Sequence, residues 1–227
     1  MNLPHQRIKS FVLRQGKITP GQKNAINSHL KTYGVSYQEQ IINLNQVFGR
    51  TNPKIIEIGF GMGNATWQIA QTNPNNDYIG IEVHSPGVGS LLMEVEKHQL
   101  NNLKIIHHDA SLVIKNMIED NSIDGFHIFF PDPWPKKKHH KRRIIQTEFI
   151  QLLCSKLKCG GYIHLATDWS EYGTWMLDIL NEIKELTNMA TNLGFIERPN
   201  YRPLTKFEQR GLKLGHQVHD LLFTKNK

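Results

Sequence analysis

Acids that each follow a short apolar run carry the chemistry of this sequence. The clearest is Asp132 in Ile128-Phe129-Phe130-Pro131-Asp132-Pro133-Trp134-Pro135-Lys136, which continues through Lys137, Lys138, His139, His140, Lys141, Arg142 and Arg143. Proline fixes its own φ and biases the residue before it toward extended backbone, so Pro131 and Pro133 hold Asp132 stiffly at the end of a buried strand. One stretch therefore joins a rigid acid, an aromatic surface and a run of cations. The acid and Trp134 suit a nucleobase, and the cations suit its phosphates. The competing reading is a strand, a turn and a solvated basic loop. For Trp134, core packing competes with stacking on a base or walling a pocket.

Four more acids follow apolar runs in the same way: Glu57, Glu82, Asp109 and Asp168. Glu57 leads into Ile58-Gly59-Phe60-Gly61-Met62-Gly63, whose glycines are spaced G-x-G-x-G. Such a loop between a strand and a helix brings backbone N–H groups close to a ligand. The dinucleotide fingerprint needs G-x-G-x-x-G to seat a pyrophosphate, and here Asn64 stands where its third glycine belongs. An anion at Glu57 favours a cationic or amino-bearing ligand over a diphosphate. Glu82 is spaced to accept from ribose hydroxyls, and Asp109 to accept from an exocyclic amine such as that of adenine. An amino acid end, a ribose and an adenine together describe S-adenosylmethionine. Taken singly, a glycine loop is equally a tight turn and a strand-end acid equally a helix N-cap. Their succession on consecutive strands is what argues for a site.

The elements that must position these residues are legible as short apolar runs alternating with helical windows. Strands are expected over 54–58, 78–83, 103–107, 125–130 and 161–167, with closing strands at 194–198 and 218–223. Helices are expected over 65–71, 88–100, 112–118, 147–158 and 171–188. The alternation defines an α/β protein with a largely parallel sheet, whose ligands sit beyond the carboxyl ends of the strands. Residues 1–50 form an N-terminal extension, with a helix opened by Thr19-Pro20-Gly21 and ended at Tyr33-Gly34; residues 51–227 form the catalytic domain. Arg7, Lys9, Arg14, Lys17 and Lys23 in the extension either enlarge an anion-binding surface or are simply solvated.

The chain has 227 residues and a formal net charge of +7, from 27 Lys+Arg against 20 Asp+Glu. That balance favours a polyanionic partner, most simply nucleic acid. Cys154 and Cys159 are the two cysteines, and their spacing to histidine suggests no metal cage. They read as free thiols of a reducing compartment. No apolar run approaches a membrane span, so a cytoplasmic protein that does not engage membranes is expected.

Three stretches resemble the bacterial tRNA (guanine-N7-)-methyltransferases: Glu57 through Gly63, Phe130 through Arg143, and Arg202-Pro203-Leu204-Thr205-Lys206-Phe207-Glu208 with Arg210-Gly211 and Leu214-Gly215-His216. Ser10-Phe11-Val12-Leu13-Arg14-Gln15-Gly16 and Ala166-Thr167-Asp168-Trp169 are similar too. The resemblance implies a Rossmann-like S-adenosylmethionine-dependent methyltransferase fold, a mostly parallel seven-stranded sheet with the last strand antiparallel. It implies methyl transfer from S-adenosylmethionine to N7 of the variable-loop guanosine of tRNA. By position it places Glu57, Gly59, Gly61, Gly63, Glu82, Asp109 and Asp132 on the cofactor, and Lys136, Asp168, Thr205, Lys206, Phe207 and Glu208 on the substrate. Lys138, His139, His140, Lys141, Arg142 and Arg143 fall on RNA. Either Asp132 or Asp168 is expected to accept from the guanine N1–H and N2 edge, with Asp132 the favoured catalytic residue. No metal and no obligatory protein partner are expected, and the chain is a monomer or homodimer. Three other readings compete. An amino-methyltransferase places its second proline directly before the aromatic, whereas Pro135 follows Trp134. A noncatalytic RNA-binding factor would not need the full set of strand-end acids. A nicotinamide enzyme conflicts with Asn64 and Glu57.

Overall fold

Five near-continuous apolar runs become adjacent parallel strands because helices cover both of their faces and leave no side for polar residues. In the computed structural model, which describes residues 8–12, 16–205, 208–209, 211, 215 and 217–226, the element order after two N-terminal helices is β-α repeated. The helices α1 (Pro20–Tyr33) and α2 (Leu44–Phe48) precede β1 (Lys54–Ile58), α3 (Asn64–Thr72), β2 (Asp77–Glu82), α4 (Ser85–Lys97), β3 (Leu103–His107), α5 (Ala110–Met117) and β4 (Ile123–Phe129). A 3-10 segment (Lys137–Arg142), α6 (Thr147–Lys156), β5 (Leu157–Thr167), α7 (Ser170–Glu182), β6 (Leu186–Asn188) and β7 (His219–Lys225) complete the chain.

The seven strands lie in the order β3-β2-β1-β4-β5-β7-β6. Neighbours from β3 to β5 are parallel, and β7 runs antiparallel to both β5 and β6. This is the expected sheet with its last strand reversed. One closing strand falls elsewhere than expected. The helix read over 171–188 stops at Glu182, and 186–188 forms β6, while 194–198 contributes only the bridge between Ile196 and Asp220. The reversal of strand order falls between β1 and β4, which is where an open α/β sheet leaves its crevice.

Alternation along the strands divides the core in two. Ile56, Ile58, Ile79 and Ile81 pack with residues of α5, α6 and α7, and Ile55, Tyr78 and Ile105 with residues of α1, α3 and α4. The extension shares both clusters, through Ala25 of α1 on one face and Ile42 and Leu44 on the other. Its helix begins with a capping box, the Thr19 hydroxyl accepting from Gln22 N–H and the Gln22 side chain from Thr19 N–H. Gly34 then bridges to Ile105 on the β3 edge. Close approach to α4 requires Gly89, where a Cβ would stand 2.6 Å from the Gln22 carbonyl oxygen.

Candidate active site

A cavity of about 250 Å³ opens at the crevice between β1 and β4. Gly59 and Gly61 of the loop, Glu82 at the end of β2, Asp109 beyond β3 and Asp132 beyond β4 all line it. Four of the sequence-predicted strand-end groups therefore meet, three of them carboxylates. Among the described residues no lysine or arginine lines the cavity; its remaining polar side chains are Ser10, His84 and His108.

The glycine loop is shaped by backbone that other residues resist. Gly59, Gly61 and Gly63 have φ of 72°, 56° and 76°, in the left-handed region. Glu82 braces the loop, one carboxylate oxygen accepting from Gly61 N–H at 2.9 Å and the other from Val83 and His84 N–H at 2.6 and 3.0 Å. Gly87 in α4 lets that helix come close, since a Cβ there would stand 2.0 Å from the Gly61 carbonyl oxygen. Gly63 caps α3 away from the cavity, against Leu91.

Glu57 is set behind the cavity wall rather than in it. It sits one residue back from the lining Ile58, in register with Gly80 and His127, and is 5% exposed. Burial pushes its carboxyl up to about 7; the Thr66 hydroxyl pulls the other way and Glu82 adds to the rise. Asp109 also caps α5, accepting from Ser111 N–H at 3.0 Å, so the N-cap and ligand readings of this acid coexist.

The Asp132 turn is held between two left-handed residues, Phe130 at φ 51° and Trp134 at 45°. Such non-glycine positions cost roughly 1–3 kcal/mol each and persist only when surroundings fix them. Here Phe130 N–H donates to Ala166 O at 2.7 Å, and Arg143 Nε donates to Pro133 O at 2.9 Å. Asp132 is left exposed at the cavity mouth. Trp134 does not line the cavity. Its indole N–H donates to Ser10 O at 3.2 Å, Arg142 covers its face at 5.2 Å, and His139 meets it edge-on at 5.9 Å. The aromatic thus fastens the N-terminal arm across the site.

Two of the expected contacts are buried in the structure. Arg143, read as an RNA contact, is 1% exposed: it pairs with both oxygens of Glu171, meets His140 Nε2 at 3.0 Å and lies over the rings of Tyr172 and Trp175. A guanidinium so enclosed supports the Asp132 turn through Pro133 O. Glu208, read as a substrate contact, is 3% exposed, with both oxygens accepting from Arg202 at 2.7 and 2.8 Å. Thr205 caps the same turn, its hydroxyl accepting from Glu208 N–H at 3.2 Å. Lys206 and Phe207, and likewise Arg7, Arg14, Arg210, Leu214 and His216, lie outside the described residues.

The remaining basic residues divide by exposure. Lys136, Lys138 and Lys141 are exposed, while His139, His140 and Arg142 are half-buried. Desolvation and then the cations Lys138, Arg142, Lys136 and Lys141 lower the His139 pKa. Asp168 is half-buried beyond β5, outside the cavity wall. Lining groups outside the expected site residues include Ser10, Phe11, His84, His108 and Ile144. His108 stacks on Tyr37 at 3.7 Å, and Tyr37 accepts from Asn116 at 2.7 Å. Its place directly before Asp109 was the available signal.

A reversed seventh strand, a glycine loop and strand-end acids around the crevice define the protein as a methyltransferase of the Rossmann-like class. Solved structures agree on the fold: the 16S rRNA methyltransferase KamB has a TM-score of 0.59 at 12% identity, over 83% of this chain and 95% of that one. A Streptococcus mutans protein described as "a putative methyltransferase", in complex with S-adenosylhomocysteine, has a TM-score of 0.52 at 13% identity, covering 83% of this chain and 99% of that one. A family model described as "Putative methyltransferase" matches residues 51–221. Relatives named tRNA (guanine-N(7)-)-methyltransferase are 55% identical in Nitrosomonas eutropha, over 97% of this chain and 98% of that protein, and 54% in Chromobacterium violaceum, over 95% of each. The chain belongs to the tRNA (guanine-N7-)-methyltransferase family.

Proposed function

We propose that the protein transfers a methyl group from S-adenosylmethionine to N7 of the variable-loop guanosine of tRNA. The observation that carries the cofactor is the convergence of Glu82, Asp109 and Asp132 on a cavity whose described lining holds no lysine or arginine. Three carboxylates on one cavity disfavour a diphosphate and suit a ligand that offers hydroxyls, an amine and positive charge. Glu82 accepts from the ribose hydroxyls, Asp109 from the adenine amine, and the Gly59–Gly61 backbone lies against the amino acid end. The cofactor supplies a methyl group on a cationic sulfur.

The substrate reading rests on family membership and on the exposed cations beside the cavity. Guanine N7 carries an in-plane lone pair and no proton, so no base has to remove one. Alignment is then the main contribution, and in favourable cases holding two reactants in line supplies about 7–11 kcal/mol. Asp132, exposed at the mouth on a stiff turn, accepts from the guanine N1–H and N2 edge and offsets the positive charge that grows on the ring. Asp168 beyond the neighbouring strand is the alternative acceptor. Lys136, Lys138 and Lys141 take the phosphates, with residues 1–50 extending that surface beside the catalytic residues 51–227. The protein acts in the cytoplasm without an obligatory protein partner, as a monomer or homodimer. Among the described residues no helix is long and apolar enough to cross a membrane.

The test is incubation with labelled S-adenosylmethionine and unmodified tRNA, followed by mild reduction and aniline, which cleave RNA at N7-methylguanosine. Cleavage at one variable-loop guanosine is expected; methyl incorporation without cleavage would move the reaction to another atom. Asp132→Asn should keep cofactor binding and lose most turnover. Turnover near that of the wild type would remove Asp132 from the electrostatic role.

A further inference from the structure

Three of the four tryptophans have their ring faces engaged within the protein. Trp67 stacks on His98 at 4.5 Å, Arg142 lies over Trp134 at 5.2 Å, and Arg143 over Trp175 at 5.0 Å. Trp169 differs: it is 42% exposed, and among the described residues no ring or cation stacks on it. Its place is set by two neighbouring strands. β4 and β5 leave the sheet side by side, Phe129 paired with Ala166 and Phe130 N–H donating to Ala166 O at 2.7 Å, and Asp132 and Trp169 each stand three residues further on. Arg143 then bridges the two segments, donating from Nε to Pro133 O at 2.9 Å and pairing with both oxygens of Glu171. Arg143 chiefly, and with it the Trp169 side chain, hold the Glu171 carboxyl below the usual carboxylate range, so the indole N–H, that side chain's only donor, is turned toward Glu171. One guanidinium and one carboxylate thus fix the Asp132 turn and Trp169 relative to each other.

We infer that Trp169 is a catalytic residue, its indole face stacking on the target guanine and holding it more tightly as N7 is methylated. As the N7–carbon bond forms and the carbon–sulfur bond breaks, the sulfonium becomes a neutral thioether and its positive charge passes to the guanine ring. An indole is the best of the aromatic faces for a cation, so the contact strengthens as the reaction proceeds. An interaction stronger in the transition state than in the ground state raises the rate. Asp132 or Asp168 meets the edge of the base, which leaves its face to Trp169. The competing reading is a solvated side chain at the start of α7; Trp169 makes no side-chain cap bond to that helix, so the ring is not needed there. The inference rests on the methyl-transfer reading and adds to it the group that meets the face of the base.

Trp169→Leu and Trp169→Phe should be compared with the wild type in three measurements. Calorimetric affinity for S-adenosylhomocysteine should stay within about twofold, because Trp169 does not line the cofactor cavity. The single-turnover rate of tRNA methylation should fall about three- to thirtyfold in Trp169→Leu, the range of one cation–π contact from exposed to desolvated, and less in Trp169→Phe, which keeps a smaller ring. With S-adenosylhomocysteine bound, the wild type should hold tRNA carrying N7-methylguanosine more tightly than the same tRNA unmethylated, by about the same factor in filter binding, and Trp169→Leu should hold the two alike. A wild type without that preference, a Trp169→Leu protein that keeps it, or a Trp169→Leu rate within about twofold of the wild type would overturn the inference. Should Trp169→Leu fail to fold, Trp169→Gln, whose amide suits an exposed position, carries the same comparison. A wild-type protein that leaves tRNA guanine N7 unmethylated would take down the functional reading together with this one, whereas an active wild type with an unaffected variant takes down this one alone.

Discussion

Replacing Glu57 with glutamine should change the pH dependence of folding in a sense opposite to that of most carboxylates. Its carboxyl is raised from 4.5 to about 7, mainly by burial, and such a shift corresponds to about 3 kcal/mol in favour of the protonated form. In the unfolded chain the group ionises near its ordinary value; in the folded chain it keeps its proton until about pH 7. Above the ordinary value the unfolded state therefore binds fewer protons, and folding loses stability as pH rises until the folded group also ionises. Linkage puts the loss between about pH 5 and about pH 8 at roughly 2.5 kcal/mol. Glu57→Gln removes that contribution and leaves every other titrating group in place. Urea unfolding of both proteins without ligand, at several pH values across that window, isolates it as the difference between the two curves. The variant should gain on the wild type by about 2.5 kcal/mol as pH rises. A difference independent of pH would refute the argument that this carboxyl is held neutral by burial. The same pair of proteins tests ligand contact: if the cofactor's amino end favours the ionised carboxylate, affinity for S-adenosylhomocysteine rises through pH 7 in the wild type and stays flat in the variant.

Other expectations concern the loop, the brace and the cationic surface. Gly87→Ala puts a methyl group where 2.0 Å separates it from the Gly61 carbonyl oxygen, so the glycine loop must shift; stability should drop by about 1–3 kcal/mol, with cofactor affinity falling more than tRNA affinity in calorimetry. Arg143→Met strips Pro133 O of its buried donor and should lower stability by about 1–3 kcal/mol. It should leave the salt dependence of tRNA binding as it was, whereas a changed slope would restore Arg143 as a phosphate contact. Lys138→Gln together with Lys141→Gln should lower the slope of log K against log salt by about 1.4–1.8, one phosphate for each lysine. Filter binding at several salt concentrations reads it, and an unchanged slope would remove the patch from the interface.

What the sequence by itself determined was local. Short apolar runs had to be strands because each is bounded by turn residues, and β1 and β3 fall where the pattern puts them. Of the five acids that follow these runs, Glu82, Asp109 and Asp132 line the cavity, as the strand-end positions of a parallel sheet allow. The Thr19 cap and the Gly34 stop of α1 were equally readable, since capping depends on neighbours in the chain. Tertiary packing decided what distant residues do to one another. Residues 186–188 continue a helical pattern, yet they leave α7 to become β6 because the edge of β7 offers backbone partners there. Arg143 reads as an RNA contact in a basic run, and Arg202 only as the first residue of a resembling stretch. Folding encloses the first between Glu171, Tyr172 and Trp175, and the second between Glu208 and Asp220. Glu57 follows an apolar run like the other acids, but it pairs with Gly80, two residues short of Glu82, and so stands behind the cavity wall. Charge type is a property of the residue, whereas its protonation, its partner and its access to a ligand depend on which groups the fold brings beside it.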